Sequence, residues 1–400
     1  PELDRAAREQ LDRVAHSTLL GNGNRMTIEL AEALARVVPV DDPHFLFASD
    51  GAAAVEQALK MAFQFWTNRG VTGRTTYLAF GGAYHGDTIG SISLGAGGFG
   101  TDVFDPLRFP VLRAPGFDDP RAIEVAVGLI ATHASELAAV VIEPLVQGAA
   151  GMEMLPAAAF AALGAACRDH DVLLICDEVA TGYGRTGTMF AFEHFGLEPD
   201  IIATSKALSG GYVPVAAMVC RRDIYSAVFR KMERAWVHSS SFGRNNLAMA
   251  AGLATLSVID DADMLRRSAE QGRALVDGIN ALRDRHEVLK EARGAGCLVA
   301  IELQRPTGAA KRMAWDAVHA MHEGLYPQMV VMPLLDRHRR RIGKSHQGDG
   351  VRRRSRRDGA GGCLSRAVEL TGGRHAHGGV QGNDGQWHRI GRTRAGQVWP

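Results

Sequence analysis

The chain has 400 residues, of which 46% are hydrophobic, and a formal net charge of +1. This is a globular, enzyme-sized composition, and no apolar run approaches the roughly 20 residues that cross a bilayer, so no membrane-crossing helix is expected. The five cysteines (Cys167, Cys176, Cys220, Cys297, Cys363) are odd in number, widely spaced and without a Cys-x-x-Cys pair, which argues against a disulfide framework or zinc site and for a reducing, cytoplasmic setting.

The chain opens on Pro1 inside a helical pattern (Leu3, Ala6, Leu11, Val14) with no visible signal peptide. It therefore reads as clipped, with residues 1–39 the remnant of an N-terminal segment. Strands then alternate with helices through residues 40–220, the pattern of a sheet covered by helices. Residues 45–48 are predicted as a strand, and 52–68 as a helix with Val55, Leu59, Ala62 and Phe63 on one face. Strands follow at 76–80 and 138–142, a helix at 157–168, and strands at 172–176, 201–204 and 215–219. A helical pattern runs from Asn246 through Leu253, Leu256 and Val258, and another spans 264–282. A strand at 298–303 begins a smaller C-terminal domain.

That domain is interrupted. Residues 337–400 carry fourteen Arg and one Lys against three Asp and one Glu, a balance of +11 that leaves −10 for residues 1–336. With fourteen glycines and no helical or alternating period, this tail cannot bury enough surface to order itself. It reads as disordered or as a shifted reading frame. Trp387 and Trp399 lack the spacing of a base-stacking surface, so nucleic acid is not an expected partner. The expected division is 40–245 for a large domain, 246–336 for part of a small one, and 337–400 for the tail.

Chemistry concentrates at strand ends. Asp177 closes the run Val172, Leu173, Leu174, Ile175, Cys176, and Lys206 stands just past Ile201, Ile202 and Ala203. Two buried strands thereby bring an acid and an amine to one sheet edge. Pyridoxal 5′-phosphate needs that pair: a lysine to hold its aldehyde as a Schiff base, and a carboxylate to keep its pyridine nitrogen protonated. Each residue alone has a plainer reading, Asp177 as a helix cap and Lys206 as a solvated charge. Glu143 also ends a strand, at the edge where ligands bind in open α/β sheets, although strand-end acids are as often only solvated. Asp50-Gly51-Ala52 joins a strand to a helix, where free N–H groups could accept a phosphate; alone, such a turn is more often structural. In Tyr84-His85-Gly86-Asp87 an aromatic face could stack on a cofactor and an acid could hold an amine, or the loop is simply surface. Neither a P-loop, a metal-spaced histidine pair nor a Gly-x-Ser-x-Gly elbow is present, so no metal is expected.

Six ordered segments identify the chain by resemblance. SDGAAAVEQALKMAFQFW (49–66), AYHGDT (83–88), IEPLVQGAAGM (142–152), CDEVATGYGRTG (176–187), PDIIATSKALSGG (199–211) and HSSSFGRN (238–245) together resemble the class III, fold-type I, pyridoxal-phosphate aminotransferases. Over residues 1–335 the resemblance implies an α/β fold, with a mainly parallel sheet flanked by helices and an incomplete smaller C-terminal domain. It implies that Lys206 binds the cofactor and then moves the proton, and that Asp177 holds the pyridinium. Tyr84 stacks on one ring face and Val179 presses the other, with His85 beside them. The backbone at Gly51 and Ala52 binds phosphate, and Glu143 closes the pocket. Asp87 faces the substrate amine, and Ser241 reaches the phosphate across a homodimer interface. The implied reaction is ping-pong transfer of an amino group from an amine donor to a carbonyl acceptor.

Ornithine and 4-aminobutyrate enzymes carry a gating glutamate where this chain has Gln147-Gly148-Ala149-Ala150. The Tyr84–Thr88 segment and the Val146-Gln147-Gly148 loop are closer to the diaminopelargonic acid aminotransferases of biotin synthesis. The Arg244-Asn245-Asn246 ending and the Asp50-Gly51-Ala52-Ala53 turn depart from these. Three readings remain: a diaminopelargonic acid enzyme, an ornithine or ω-amino acid enzyme, and an inactive remnant.

Overall fold

A computed structural model describes residues 1–17, 22–96, 101–235, 238 and 240–321. The tail at 337–400 and the Met-Pro-Leu-Leu segment at 332–335 lie outside these residues. Residues 1–307 form one compact unit, and the second unit begins at Gly308.

The chain starts with α1 (Glu2–Arg13) and α2 (Arg25–Val37), and then enters the sheet through β1 (His44–Ala48). Next come α3 (Gly51–Asn68), β2 (Thr76–Phe80), α4 (Ile89–Leu94), β3 (Leu112–Ala114), α5 (Ala122–His133) and β4 (Leu137–Ile142). A short hairpin of β5 (Val146–Gln147) and β6 (Glu153–Met154) interrupts the alternation before α6 (Ala157–Asp169) and β7 (Leu173–Asp177). The large layer closes with β8 (Ile201–Thr204), β9 (Ala216–Cys220) and α7 (Arg222–Phe229). After α8 (Asn246–Asp261) and α9 (Met264–Asn280), β10 (Leu289–Ala295) and β11 (Leu298–Leu303) make an antiparallel hairpin. The described part of the second unit holds α10 (Ala309–Met321).

The main sheet has seven strands in the order β1-β9-β8-β7-β4-β2-β3. Every pairing from β8 through β3 is parallel, and β9 runs antiparallel to both its neighbours. Strand alternation builds two cores, because successive side chains leave a strand on opposite faces. Leu78, Phe80, Val140, Ile142, Leu174, Cys176 and Ile202 pack on the face covered by α2, α5 and α6. Tyr77, Ala79, Val141, Ile175, Ile201 and Ala203 pack on the opposite face with Val55, Leu59, Ala62 and Trp66 of α3. β4 is buried along its whole length, as expected for a central parallel strand.

Helix starts are chemically marked. Asp50 accepts the N–H of Ala53 at 2.9 Å to cap α3, and Asn245 accepts that of Ala248 at 2.8 Å to cap α8. The first strand and the parallel strands all finish at one sheet edge. Turns carrying Asp50, Tyr84, Glu143, Asp177 and Lys206 leave the sheet there.

Candidate active site

At the end of β7, Asp177 is 4% exposed and its two oxygens are both engaged. Oδ1 accepts the N–H of Val179 at 3.0 Å, and Oδ2 faces His85 Nδ1 at 2.7 Å. His85 comes from the loop after β2, so the contact joins residues 92 apart in sequence. Burial works against a charged imidazole here. The hydrogen bond and charge of Asp177, with Glu143 adding to them, overcome that and raise the His85 pKa above its ordinary value. Its Nε2 is buried without a hydrogen-bond partner.

Glu143 lies on the other side of this loop. Its Oε2 accepts the N–H of Tyr84 at 3.1 Å, and its Oε1 that of Gly148 at 3.3 Å. Burial pushes its carboxyl up to about 7, despite the opposing influence of His85 and these two donors. Tyr84 presents a half-exposed ring, and its hydroxyl donates to Asp87 at 3.0 Å. Partial burial and the Asp87 carboxylate push that phenol up to about 12.

Lys206 is one strand over, past the end of β8. Asp177 pairs with Ala203 across the β7–β8 ladder, which brings the two chain segments side by side. The lysine is exposed, and its backbone has φ +35°, a left-handed value rare for a residue with a Cβ. Such strain persists where surroundings over-determine the conformation, and functional sites are where it concentrates. Here Ser205 Oγ, bonded to Val215 O at 2.8 Å, fixes the turn on one side, and the short helix Lys206–Ser209 fixes it on the other.

The phosphate candidate is the first turn of α3. Asp50 consumes the N–H of Ala53, which leaves the N–H groups of Gly51 and Ala52 as the unpaired donors of a helix start. A Cβ at Gly51 would fall 2.7 Å from Val179 Cγ1, so only glycine lets that valine close over the turn. At Gly86, φ is +118° and a Cβ would stand 2.5 Å from Ala52 Cβ. The Tyr84–His85 loop is thereby pressed directly onto the first turn of α3. Ser241 lies exposed in a turn beside the end of β1, where Ser49 Oγ and Ser240 Oγ are 3.2 Å apart. No described bond links Ser241 to Gly51 or Ala52.

These features fit pyridoxal 5′-phosphate: helix-start N–H donors for its dianion, a buried acid beside an exposed lysine, an exposed aromatic face, and an orphaned imidazole nitrogen. Among the described residues, no His, Cys, Asp or Glu side chains cluster as a metal site.

The sequence ranks Glu178 behind Asp177 as an ion partner and does not reveal what Glu178 holds. It is fully buried, accepting the Thr181 hydroxyl at 2.6 Å and the Phe192 N–H at 3.0 Å. It thus ties the turn after β7, which carries Val179, to the short helix Ala191–Phe195. The only sequence signal was a second acid in Asp177-Glu178, which alternation would place on the other face of the strand.

Comparisons with known proteins show the family and the fold. The model of the family "Aminotransferase class-III" matches residues 1–332. The adenosylmethionine-8-amino-7-oxononanoate aminotransferase of Geobacter sulfurreducens is 36% identical over 332 residues, covering 79% of this chain and 73% of that protein. The crystal structure of the Methanocaldococcus jannaschii enzyme of the same name superposes with a TM-score of 0.72 at 33% identity, covering 82% of this chain and 76% of that one. An amine transaminase from an uncultivated Pseudomonas species, solved in its PLP-bound form, gives a TM-score of 0.70 at 31% identity, covering 78% of this chain and 74% of that one.

Proposed function

This chain belongs to the class-III aminotransferases, a family of PLP-dependent transaminases, and we propose that it holds pyridoxal 5′-phosphate at the strand-end cluster of Asp177 and Lys206. One observation carries the reading: a buried, His85-bonded carboxylate stands on the strand next to an exposed lysine with a left-handed backbone.

When bound, the cofactor supplies an electron-withdrawing ring that carries an amino group between a donor amine and a carbonyl acceptor. The chain's residues supply the rest. Asp177, kept in place by His85 and the Val179 N–H, holds a proton on the ring nitrogen. Lys206 Nζ retains the cofactor between turnovers, then takes and returns the proton at the amine-bearing carbon. Tyr84 and Val179 would hold the ring between them, Gly51 and Ala52 N–H groups would bind the phosphate, and Glu143 would close the pocket. Asp87 receives the substrate amine. The reaction runs as two half-reactions through one site. Residues 40–245 would form the cofactor domain, and the smaller one would begin at 246, within the compact unit of residues 1–307. Two copies pair so that Ser241 of each reaches its partner's phosphate turn. Three buried, unbridged cysteines, Cys167, Cys176 and Cys220, support placement in the reducing cytoplasm.

For substrates, we place 8-amino-7-oxononanoate as acceptor and adenosylmethionine as donor. The names of the similar enzymes and the Val146-Gln147-Gly148 loop support that choice. A second reading, an ω-amine donor, is favoured by the similarity to the amine transaminase. The assay presents purified full-length protein, with pyridoxal 5′-phosphate, to adenosylmethionine plus 8-amino-7-oxononanoate and, separately, to an ω-amine plus pyruvate. Turnover of the first pair supports the assignment; turnover of only the second replaces it. A protein that shows the visible absorbance of bound cofactor but turns over neither pair is a remnant. Lys206→Ala is expected to lose that absorbance, and an unchanged band sinks the site itself.

A further inference from the structure

Arg293 lies on β10, outside every residue assigned above, yet its guanidinium is 17% exposed and spent entirely on named partners. Nε donates to Met152 O at 3.0 Å, and Nη2 donates to Gly151 O at 2.7 Å and to Glu153 Oε1 at 2.8 Å. Nη1 reaches Glu291 Oε1 at 2.9 Å and also bonds Glu302. Glu291 and Glu302 sit directly opposite each other across the β10–β11 hairpin, where like charges repel. Arg293 bridges that pair, with Lys290 Nζ adding a second cation 2.6 Å from Glu302 Oε1, and uses its remaining donors to grip the turn between β5 and β6.

The gripped turn bears on the site. Its residue Met152 has φ +61°, a left-handed value that a side chain with a Cβ holds only with outside support. At the near end of the turn, the Gly148 N–H donates to Glu143. Gln147 donates to Gly81 O at 2.8 Å and accepts from the Phe117 N–H at 3.0 Å. A Cβ on Gly82 would stand 3.0 Å from Ala150 Cβ, so the turn also abuts the start of the Tyr84 loop. The hairpin is itself a firm base. Asn280 of α9 makes a reciprocal pair of bonds with the Ala292 backbone, and the Cys297 N–H donates to Arg185 O at 2.8 Å in the loop after β7.

We propose that Arg293 is a positioning residue: it clamps the 148–152 turn to the β10–β11 hairpin and so holds the Gly148 N–H on Glu143 and the Tyr84 loop in place. Its effect on catalysis rests on the reading that Glu143 and Tyr84 face the cofactor. The clamp itself does not.

The test is hydrogen exchange on the full-length protein without cofactor, paired with a titration of pyridoxal 5′-phosphate. In Arg293→Met, amides in 143–154 are expected to exchange about tenfold faster or more, those in 81–88 to follow, and those in 172–177 to keep their wild-type rate. Arg293→Lys, a point charge without the fork, should show a smaller change in the same segments. Unchanged exchange in 143–154 overturns the clamp, and so does faster exchange that extends through 172–177. If Arg293→Met does not fold, the lysine variant decides by the same criteria. Faster exchange at 143–154 and 81–88 with weaker cofactor binding supports the clamp and the site reading together. The same exchange with unchanged cofactor affinity keeps the clamp and removes Glu143 and Tyr84 from the cofactor.

Discussion

At the end of β7, neighbouring residues send one carboxylate to His85 and the other inward to Thr181 and the Phe192 N–H. Sequence reasoning could choose Asp177 over Glu178, because Asp177 is the first acid to leave the apolar run. It could not see His85 as its partner, because residues 92 apart meet only through the β2–β4–β7 order of the sheet. Three buried groups whose pKa values are raised, His85, Glu143 and Glu178, act on stability with one sign. Burial raises Glu143 and Glu178 to about 7 from an ordinary 4.5, so the folded chain keeps protons that the unfolded chain releases as pH rises through that window. His85 is also raised, so its contribution is complete below its unfolded value and is lost as pH climbs through its folded one. All three make the cofactor-free protein more stable in mild acid. Urea midpoints at about pH 5.5 and 8 should show this, and Glu178→Gln should remove on the order of 2 kcal/mol of the difference. A variant with the wild-type pH slope would show that Glu178 does not titrate in this window.

Among elements, those with a long apolar period were legible, and short ones held by neighbours were not. The predicted strands at 76–80 and 201–204 match β2 and β8 end for end, because a buried parallel strand needs a continuous apolar run. The two-residue strands β5 and β6 have no period to read; they exist because Gln147 and Arg293 pin the turn between them. The contact between α3 and the Tyr84 loop was equally hidden, since nothing in the sequence says that Gly86 lies against Ala52. That contact has a measurable cost. Gly86→Ala introduces both backbone strain and overlap with Ala52, whereas Gly70→Ala, at φ +81° with nothing within 4 Å, introduces strain alone. Expected losses are about 3 kcal/mol for Gly86→Ala and about 1 kcal/mol for Gly70→Ala, read from thermal unfolding. Equal losses would mean that the loop does not rest on the first turn of α3.

Over the whole molecule, one sheet edge gathers acids, glycine turns and a lysine from segments that span residues 49–211, and α8, α9 and the β10–β11 hairpin follow it in the same compact unit. This gathering was legible because each candidate followed a strand, and parallel strands finish at one edge. The hairpin's reach back to the 148–152 turn was not, since ion pairs between distant segments leave no local pattern. The basic tail contributed nothing to the site reading; the family match itself ends at residue 332. The central claim is that this edge holds pyridoxal 5′-phosphate through Lys206. It is tested most directly by reducing the cofactor-loaded protein with borohydride and mapping the modified peptide by mass spectrometry. One pyridoxyl group is expected on Lys206, within residues 199–211; modification only at another lysine, such as Lys60 or Lys290, or none at all, would mean that Lys206 does not hold the cofactor.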